Sequence, residues 1–402
     1  MKTNGKDTKL GVVPALRFPE FDNYWDIKEL SKIANLIKER ARNGNYTPMS
    51  VTSGVGLVSQ KEKFGRDISG NQYSSYFVIR KGDFAYNKSA TNLYPEGYIS
   101  MLKKLEIAAV PNSIFTCFKV NRKEVLPEYL DYLFENNYHG KWLRKFIEVG
   151  ARAHGSLSID TKKLFELPIV FPSINEQQKI ADCLSSIDAL IKATENKIDE
   201  LKAHKKGLMQ QLFPAEEKTV PILRFPEFQN AGEWKQTTIG AICTISNGKS
   251  NVQDNVQNGK YPLFDRSEII KASNKFLFDC EAIIIPGEGR FIPKYYIGKF
   301  DLHQRAYALK DFTCHALFVY HYITAFSFIL TQKAVKSTVL SLRMPILEAF
   351  PLLLPNIQEQ QKIANCLSSV DDFITAQTNR LEALRNHKKG LMQQLFPNID
   401  EC

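Results

Sequence analysis

The sequence lacks a membrane-spanning segment and has little cysteine. Its longest apolar run, residues 316–330, is interrupted by two tyrosines and a histidine, whereas a spanning helix needs about 20 apolar residues. The first residues contain no apolar stretch of signal-peptide length. The seven cysteines are odd in number, scattered and never arranged as CxxC, which argues against a disulfide framework and a zinc site. We therefore expect a protein of the reducing cytoplasm with no membrane partner.

Motifs of catalysis and of cofactor binding are also missing from the sequence. It contains no NPPY- or DPPY-like tetrapeptide for adenine methylation, no HExxH and no GxSxG. The GEGR segment at residues 287–290 fits neither GxGxxG nor the P-loop pattern. The seven histidines have no metal-ligand spacing, and we expect His315 and His321 to be core residues because they lie in or beside the apolar run. These absences predict a chain without catalytic residues, cofactors or metal ions of its own.

The composition that remains is that of a soluble globular protein with more than one domain. The chain has 402 residues, 44% of them hydrophobic and 24% charged, while a domain usually has about 150 residues. Lysine and arginine number 53 against 43 acidic residues, which gives a net charge of +10. This excess favours a polyanionic partner, but it does not distinguish nucleic acid from a membrane surface or a large acidic neighbour.

An internal duplication organises the chain. Residues 176–214 and 359–397 are identical at 26 of 39 positions, and the nonapeptides at 13–21 (VPALRFPEF) and 220–228 (VPILRFPEF), here called the short boxes, differ at one position. The variable regions between a short box and the next long repeat show no alignable similarity to each other. Two copies with a period near 200 exclude a solenoid, whose units are about 20–45 residues long. Two copies of one scaffold therefore carry different inserts.

Each long repeat predicts a coiled-coil helix. Leucine, isoleucine and valine recur at alternating steps of three and four over about five heptads, which is an a/d pattern. About 38 residues would extend over about 57 Å. Pro172 and Pro355 precede the helices, and Pro214 and Pro397 follow them, where proline is compatible with a helix end. Charge nearly cancels within the helices, so the basic excess lies outside them, as +8 in residues 1–175 and +3 in residues 215–358.

Both helices carry polar residues at the same two positions of the seam. These are Thr194 and Gln377 near the middle, and Lys205 and Lys388 nearer the end. Such residues either specify the register of the pair or, for the lysines, extend to solvent at its rim. The helices could pair in parallel or antiparallel. The repeated short box favours the antiparallel, pseudo-two-fold arrangement, because each box can then dock beside the equivalent part of the other half.

The duplicated segments and their order resemble a known family. A variable domain that closes on LPIVFPSINEQQKIADCLSSID, a long helix that ends in HKKGLMQQLFP, and a second round of the same pattern resemble the specificity (S) subunit of type I restriction-modification enzymes. The most specific parts are Pro172–Ser186, Pro355–Ser369 and the two KKGLMQQLFP ends. The segments GDFAYNKS at 82–89 and YPLFD at 261–265 match more loosely. The resemblance covers essentially the whole chain.

The resemblance implies that the chain binds double-stranded DNA within a larger complex. Each variable region would be a target-recognition domain for one half of a bipartite sequence. The helices would set the distance between the halves and dock methyltransferase subunits, two of them by the duplication, and restriction subunits would join that complex. S-adenosylmethionine, ATP and magnesium would belong to these partner subunits. Two dissimilar readers held by a rigid spacer imply an asymmetric target.

Candidate DNA contacts in the first variable region lie in three polar, glycine-bearing segments. Arginine and lysine can bond to guanine, asparagine and glutamine to adenine, and serine, lysine and backbone amides to phosphate. The candidates are Lys61, Lys63, Arg66, Gln72 and Tyr73 in the first segment, Asn87, Lys88 and Ser89 in the second, and Arg152 and His154 in the third. Each single residue could equally lie in a solvated loop without a contact.

Candidates in the second variable region lie in a polar loop, follow predicted strands or precede the second long helix. They are Lys249, Arg266, Ser267, Arg290, Gln304, Arg305 and Arg343. As in the first region, the set as a whole is predicted to bind DNA, and each member has a solvated loop as its alternative. His204 and His387 repeat at matching helix positions, which favours a structural or subunit-docking role.

The sequence thus predicts an α/β fold in two copies. Two target-recognition domains, residues 1–175 and 215–358, would be separated by an intramolecular antiparallel coiled coil of residues 176–214 and 359–397, with a tail at 398–402. Short strands are expected at 77–80, 114–120 and 282–285. The alternative is a coiled-coil assembly or adaptor protein whose globular domains bind other proteins. Steep salt dependence of binding would distinguish a DNA reader from such an adaptor.

Overall fold

The described residues of this computed structural model form two compact units. The structure describes residues 13–89, 91, 93–146, 160–335 and 339–397. Unit 1 combines the chain up to Ala193 with the chain from Leu381 onward, and unit 2 is Thr194–Arg380. Among the described helices, none is long and apolar enough to cross a membrane.

The first half of the chain is built from short strands and helices and ends in one long helix. The strands are β1 Asp26–Glu29, β2 Ala34–Leu36, β3 Met49–Thr52, β4 Gly56–Ser59, β5 Phe77–Arg80, β6 Phe84–Asn87, β7 Tyr98–Met101, β8 Ile107–Val110, β9 Phe115–Val120 and β10 Pro168–Phe171. The helices are α1 Leu30–Ile33, α2 Gln60–Phe64, α3 Pro127–Glu135, α4 Tyr138–Leu143, α5 Thr161–Phe165 and the long α6 Ile174–Leu212.

The second half repeats this plan with longer strands. The strands are β11 Lys235–Thr238, β12 Thr244–Asn247, β13 Tyr261–Phe264, β14 Lys271–Ser273, β15 Phe278–Pro286, β16 Lys294–Leu302, β17 Ala306–Lys310 and β18 Pro351–Leu354. The helices are α7 Ile239–Ile242, α8 Ala316–Ala325, α9 Ser327–Lys333, α10 Met344–Glu348 and the long α11 Ile357–Leu395. The strands expected at 77–80, 114–120 and 282–285 are β5, β9 and part of β15, so these predictions are confirmed.

The main sheet of unit 1 has the strand order β2-β9-β6-β7, with every pair antiparallel. Its central strand β6 is buried on both faces because side chains alternate along a strand. Phe84 and Tyr86 join the core cluster that contains α3, whereas Ala85 joins a cluster with residues of β5 and β8. The pairs β3–β4, β5–β8 and β1–β10 flank this sheet.

The sheet of unit 2 has the order β12-β17-β15-β16-β13-β14, in which only β13 and β16 pair in parallel among the described strands. Its central strand β15 is also buried on both faces. Ile283 and Ile285 join the cluster that contains α8, and Ala282 and Ile284 pack with Phe300 on the opposite face. The apolar run of β15 is therefore that of a strand with two covered faces.

The two variable regions share one topology although their sequences do not align. The order β2-β9-β6-β7 in unit 1 corresponds to β12-β17-β15-β16 in unit 2, and the flanking pair β1–β10 corresponds to β11–β18. Sequence comparison missed this correspondence because the fold requires a pattern of buried and exposed positions, which many different residues satisfy. Unit 1 adds the β3–β4 and β5–β8 pairs, whereas unit 2 adds β13 and β14.

Within each unit the start of one long helix packs against the end of the other. In unit 1, Ile180 and Leu184 of α6 share a buried cluster with Leu395 of α11. In unit 2, Leu212 of α6 shares a buried cluster with Ile363 of α11 and its neighbours. This antiparallel pairing, with buried or half-buried residues along the predicted a/d positions, confirms the predicted coiled coil.

Each short box is tied to both helices within its own unit. In unit 1 the guanidinium of Arg17 forms a bidentate ion pair with Glu176, and the Leu16 N–H donates to the Gln394 carbonyl. In unit 2 the equivalent contacts join Arg224 to Glu359 and the Leu223 N–H to the Gln211 carbonyl. The arginines and glutamates recur at identical places of the duplication, because a buried carboxylate requires a charged partner.

The lysines of the two seams are paired and mostly buried, so the alternative that they extend to solvent is wrong. The Lys388 ammonium lies 2.7 Å from carboxylate oxygens of both Asp188 and Glu135 in unit 1. The Lys205 ammonium lies 2.6 Å from Asp371 in unit 2. Each lysine thus bonds to an aspartate of the facing helix. Register specification by these polar positions stays a prediction, and these pairs are the contacts that would provide it.

The two histidines of the apolar stretch have structural contacts. His321 is fully buried, and its Nε2 lies 3.2 Å from the Ser368 hydroxyl on α11. Burial, assisted by the nearby Lys205 and His315, lowers the pKa of His321 to about 3, so its ring is neutral at ordinary pH. The His315 Nδ1 accepts a hydrogen bond from the Phe318 N–H and caps α8. Among the described residues no cluster of potential metal ligands occurs.

Candidate functional site

In each unit a polar cleft lies at the ends of corresponding strands of the main sheet. In unit 1 the end of β6 pairs with the start of β9 through Asn87 and Phe115. In unit 2 the end of β15 pairs with the start of β17 through Pro286 and Ala306. Loops that leave these strand ends line a cavity of about 610 Å³ in unit 1, called cleft 1, and one of about 520 Å³ in unit 2, called cleft 2.

Cleft 1 combines polar donors with apolar walls. Its polar lining is Ser50, Thr52, Ser53, Lys63, Asn87, Ser89 and Thr91, and its apolar lining includes Val51, Phe64, Leu93, Ile114 and Phe115. Three predicted residues, Lys63, Asn87 and Ser89, are therefore brought together from α2, from the end of β6 and from the loop after it. Their ammonium, amide and hydroxyl groups are of the kinds that bind phosphates and base edges.

Lys63 is the cationic group of cleft 1, and its contacts are with uncharged oxygens. Its ammonium lies 3.3 Å from both the Ser50 hydroxyl and the Val51 carbonyl. Partial burial lowers the pKa of Lys63. No ion pair joins Lys63 to a carboxylate in the described ranges, and the buried hydroxyls of Thr52 and Ser53 have no hydrogen-bond partner there. Cleft 1 therefore offers an un-neutralised positive charge beside free hydroxyl groups.

Asn87 shapes the loop that follows β6. Its side-chain oxygen accepts a hydrogen bond from the Ser89 N–H at 3.0 Å, and its amide nitrogen lies 3.5 Å from the Val51 carbonyl. The side chain is buried, so it supports the cleft wall and presents little surface to a ligand. Ser89 and Lys88 are half-buried.

Cleft 2 is lined by side chains that are nearly all polar. They are Asn251, Gln253, Asp265, Arg266, Glu288, His303, Gln304 and Arg305. Three predicted residues, Arg266, Gln304 and Arg305, meet here from the loops after β13 and before β17. Arginine, glutamine and asparagine are the residues that form paired hydrogen bonds with guanine and adenine.

Charges in cleft 2 are balanced by carboxylates. Glu288 bonds to Arg305 at 2.5 Å and lies 3.6 Å from Arg266. Burial would raise the pKa of Asp265, but hydrogen bonds from Lys271 and Ser267 outweigh it, so the net shift is downward. Burial lowers the pKa of His303 more than Asp265 raises it. Cleft 2 therefore combines two carboxylates, Asp265 and Glu288, with more exposed guanidinium groups.

The remaining candidates of unit 1 lie outside cleft 1. Lys61, Arg66 and Gln72 are exposed on the surface segment from α2 to β5. Tyr73 is a structural residue, because its hydroxyl donates to the Tyr46 carbonyl at 2.8 Å. Arg152 and His154 lie outside the described residues.

The remaining candidates of unit 2 also lie outside its cleft. The Ser267 hydroxyl bonds to Asp265 at 2.6 Å and shapes the turn after β13. Arg290 pairs with Glu268 in an exposed ion pair. Lys249 and Arg343 are exposed, and Arg343 stands at the residue before α10. The contacts of these residues within the chain do not test whether they bind DNA, so DNA binding by them stays a prediction.

Sequence reasoning missed several residues of the clefts. Glu288 and Asp265 are not among the predicted DNA contacts, because an acidic residue is unexpected where a polyanion binds. Thr52, Ser53 and Asn251 had no signal beyond being polar residues near glycines or strand ends. A usable signal existed for Glu288, which stands between two glycines directly after the apolar run of β15.

Comparison with known proteins gives matches over both halves of the chain. The model of the family described as "Type I restriction modification DNA specificity domain" matches residues 24–203 and 231–386. The match to both variable regions agrees with their shared topology.

Two curated relatives are specificity subunits by name. The specificity subunit of type I restriction enzyme EcoDI from Escherichia coli is 29% identical over 166 residues, which are 41% of this chain and 37% of that protein. The specificity subunit of type I restriction enzyme MjaVIII from Methanocaldococcus jannaschii is 26% identical over 331 residues, which are 70% of this chain and 72% of that protein. The chain thus aligns with little more than a third of the first relative and with most of the second.

A solved structure shares the fold. The S subunit of a type I restriction-modification system from M. genitalium superposes with a TM-score of 0.62 at 15% identity, over 96% of this chain and 99% of that one. At this identity the likeness concerns the fold alone, and it covers both duplicated halves.

Proposed function

Because the chain belongs to the type I restriction modification DNA specificity family, we propose that it gives a type I restriction-modification complex its DNA sequence specificity. Each variable region would read one half of an asymmetric, bipartite target in double-stranded DNA. The long helices would set the spacing between the halves and dock the methyltransferase subunits.

The observation that carries this proposal is the pair of polar clefts at equivalent sheet edges. Cleft 1 has an ammonium bonded to neutral oxygens, hydroxyl groups and apolar walls, whereas cleft 2 has two guanidinium groups, side-chain amides and carboxylates. Direct readout uses such donors and acceptors against base edges. Two clefts of different chemistry on one topology support two different half-sites, and hence an asymmetric target.

The duplicated helices support the docking of two identical partners. His204 and Lys206 of α6 are exposed, and so are the matching His387 and Lys389 of α11. Packing does not require identity at exposed positions, so their repetition favours a surface that binds the same partner twice. We propose that two methyltransferase subunits bind there and that restriction subunits join the complex.

The chemistry of methylation and cleavage would belong to the partner subunits. We propose that this chain contributes DNA binding and no catalytic residue, and that it acts in the cytoplasm. Methyl transfer and ATP use would then require S-adenosylmethionine, ATP and magnesium in those partners.

The test uses the chain purified with its methyltransferase subunits. Binding to duplexes of random sequence should weaken steeply with salt, because each phosphate contact releases condensed counterions. Mapping of methylated bases in DNA from the source cell should give a bipartite motif with a fixed gap. Equal affinity for the motif and for random duplexes at every salt concentration would refute the proposal and favour a protein-binding adaptor.

A further inference from the structure

Glu288 contacts the two arginines of cleft 2 and is more buried than they are. Its side chain is 19% exposed, whereas the side chains of Arg266 and Arg305 are 65% and 63% exposed. One carboxylate oxygen bonds to Arg305 at 2.5 Å, and the other lies 3.6 Å from Arg266. Each guanidinium has five N–H donors, so both keep donors directed away from Glu288. The two guanidinium groups are thus anchored by Glu288 on one side, and their remaining N–H donors are available to a ligand.

The backbone on both sides of Glu288 is fixed. The Gly287 N–H donates to the Arg305 carbonyl at 2.8 Å, and the Gly289 N–H donates to the Leu340 carbonyl at 3.0 Å. A Cβ at Gly287 would stand 2.4 Å from the Arg305 carbonyl oxygen, and Gly289 has a φ of +83°. Both positions therefore favour glycine. The loop therefore fixes the position of the Glu288 carboxylate, and larger residues at Gly287 or Gly289 would distort it.

Arg266 and Arg305 share one carboxylate in cleft 2. The side chains of Glu288 and the two arginines together carry about +1, while Asp265, the other carboxylate of the lining, pairs with Lys271. By contrast, both partners in the Arg290–Glu268 pair of the same unit are largely exposed, so neither side chain is held in place by a buried partner. Pre-organised arginines lose less conformational entropy when they bond to a base.

We propose that Glu288 is a positioning residue for base recognition, which holds Arg266 and Arg305 in the orientation that bonds to guanine. This inference rests on the proposed function and deepens it. Glu288 lowers non-specific affinity by its negative charge and increases discrimination by fixing the two forks. Its two effects have opposite signs, and this separates the role from a purely structural one.

The test compares Glu288→Gln with the wild-type chain in the complex with methyltransferase subunits. A library of random-sequence duplexes gives the preferred motif, and titration of duplexes at several salt concentrations gives the affinity and its salt slope. For Glu288→Gln we expect discrimination at a guanine of one half-site to fall by up to roughly 100-fold, the value of one bidentate contact. Affinity for random duplexes should rise, with a salt slope steeper by about 0.9 for the charge released.

Two further variants keep the result interpretable. Glu268→Gln removes one carboxylate from the exposed Arg290 pair of the same unit, and it should leave discrimination unchanged. Arg305→Lys keeps the charge and the pairing with Glu288 but loses the fork, so it should lower discrimination without changing the salt slope. Arg305→Lys also serves if Glu288→Gln does not fold. In all variants the half-site read by unit 1 should stay as in the wild type.

Three outcomes overturn the inference. Glu288→Gln with unchanged discrimination would show that the arginines do not depend on Glu288. A loss of both specific and random binding by a folded Glu288→Gln would indicate a structural role, as would unchanged discrimination in Arg305→Lys. The proposed function fails separately, when the wild-type complex itself selects no motif from the library.

Discussion

Clefts 1 and 2 lie at corresponding strand ends of the main sheets of the two units, but their charged groups are arranged differently. Cleft 1 has one lysine whose neighbours are neutral oxygens, beside apolar walls. Cleft 2 has two arginines that pair with Glu288, and a second carboxylate, Asp265, that pairs with Lys271. The topology fixes where a cleft forms, and the loop residues decide what it can bind. One topology can therefore carry two clefts of different chemistry.

The part of each unit that holds the domain to the helices shows the reverse behaviour. The short boxes, the ion pairs with Glu176 and Glu359, and the ends of the long helices are repeated almost residue for residue. These contacts are buried and charged, so a change in one partner is costly unless the other changes with it. Similarity is thus greatest where packing restricts the residues and least at the clefts.

The strongest test of this equivalence removes the arginine of each short box. Arg17→Ala and Arg224→Ala each leave an almost fully buried glutamate without its partner, which costs about 3–5 kcal/mol. Arg224→Ala should cost more, because Arg224 is 8% exposed and Arg17 is 16% exposed. Hydrogen exchange followed by mass spectrometry should show the loss in unit 2 for Arg224→Ala and in unit 1 for Arg17→Ala.

The matched control is Arg80→Ala, which breaks an exposed ion pair with Glu39. An exposed pair contributes about 0–1 kcal/mol, so this variant should exchange like the wild type. If either short-box variant also exchanged like the wild type, the two boxes would not be the anchors of their units.

A second test uses the acid sensitivity of the buried histidine of unit 2. Burial lowers the pKa of His321 to about 3, below that of an unfolded histidine at about 6.5. The unfolded state therefore binds more protons in this window, and stability falls as the pH decreases from about 6.5 towards 3. The slope is about 1.4 kcal/mol per pH unit, or about 2 kcal/mol between pH 6.5 and 5.

The variant His321→Leu should remove this slope from unit 2, although it also loses the contact with Ser368. Urea unfolding at pH 7 and pH 5 would measure it, with His204→Gln at an exposed site as the control that keeps the slope. An unchanged pH dependence in His321→Leu would contradict a neutral, buried His321. His139 of unit 1 is likewise fully buried, with its pKa lowered to about 4 by burial, so its slope should persist in that variant.

The smallest expected effect separates the two seam lysines. Lys388 pairs with two carboxylates and Lys205 with one, and these carboxylates are partly exposed. Lys388→Met should destabilise unit 1 by about 1–2 kcal/mol, and Lys205→Met should destabilise unit 2 by about 1 kcal/mol or less.

Double-mutant cycles in urea would measure these couplings. Replacing both partners by apolar residues, as in Lys205→Met with Asp371→Leu, should recover the loss, because no charge is left unpaired. A double variant whose loss equals the sum of the losses of its single variants would show that Lys205 and Asp371 do not act on each other. Equal losses for Lys388→Met and Lys205→Met would show that the second carboxylate at Lys388 contributes nothing.

The long helices could be predicted closely from the sequence, whereas the clefts could not. The a/d pattern and the flanking prolines place the helices to within about two residues of Ile174–Leu212 and Ile357–Leu395. Local periodicity is enough for a helix, since its hydrogen bonds close within four residues. Of the predicted contact residues, six line the clefts, namely Lys63, Asn87 and Ser89 in unit 1 and Arg266, Gln304 and Arg305 in unit 2. The two flanking glycines mark Glu288 in the sequence, but its role depends on Arg305, a neighbour 17 residues away.

The sequence by itself determined the duplication, the two coiled-coil helices, the family and the position of the basic excess, because these are properties of local pattern and of repetition. Only the tertiary structure decided that the two variable regions share one topology, that Arg17 and Arg224 anchor them, and that Glu288 lies beneath two arginines. These facts depend on contacts between residues far apart in the chain. Such contacts follow from how the strands pair and pack, and many different sequences satisfy that pairing.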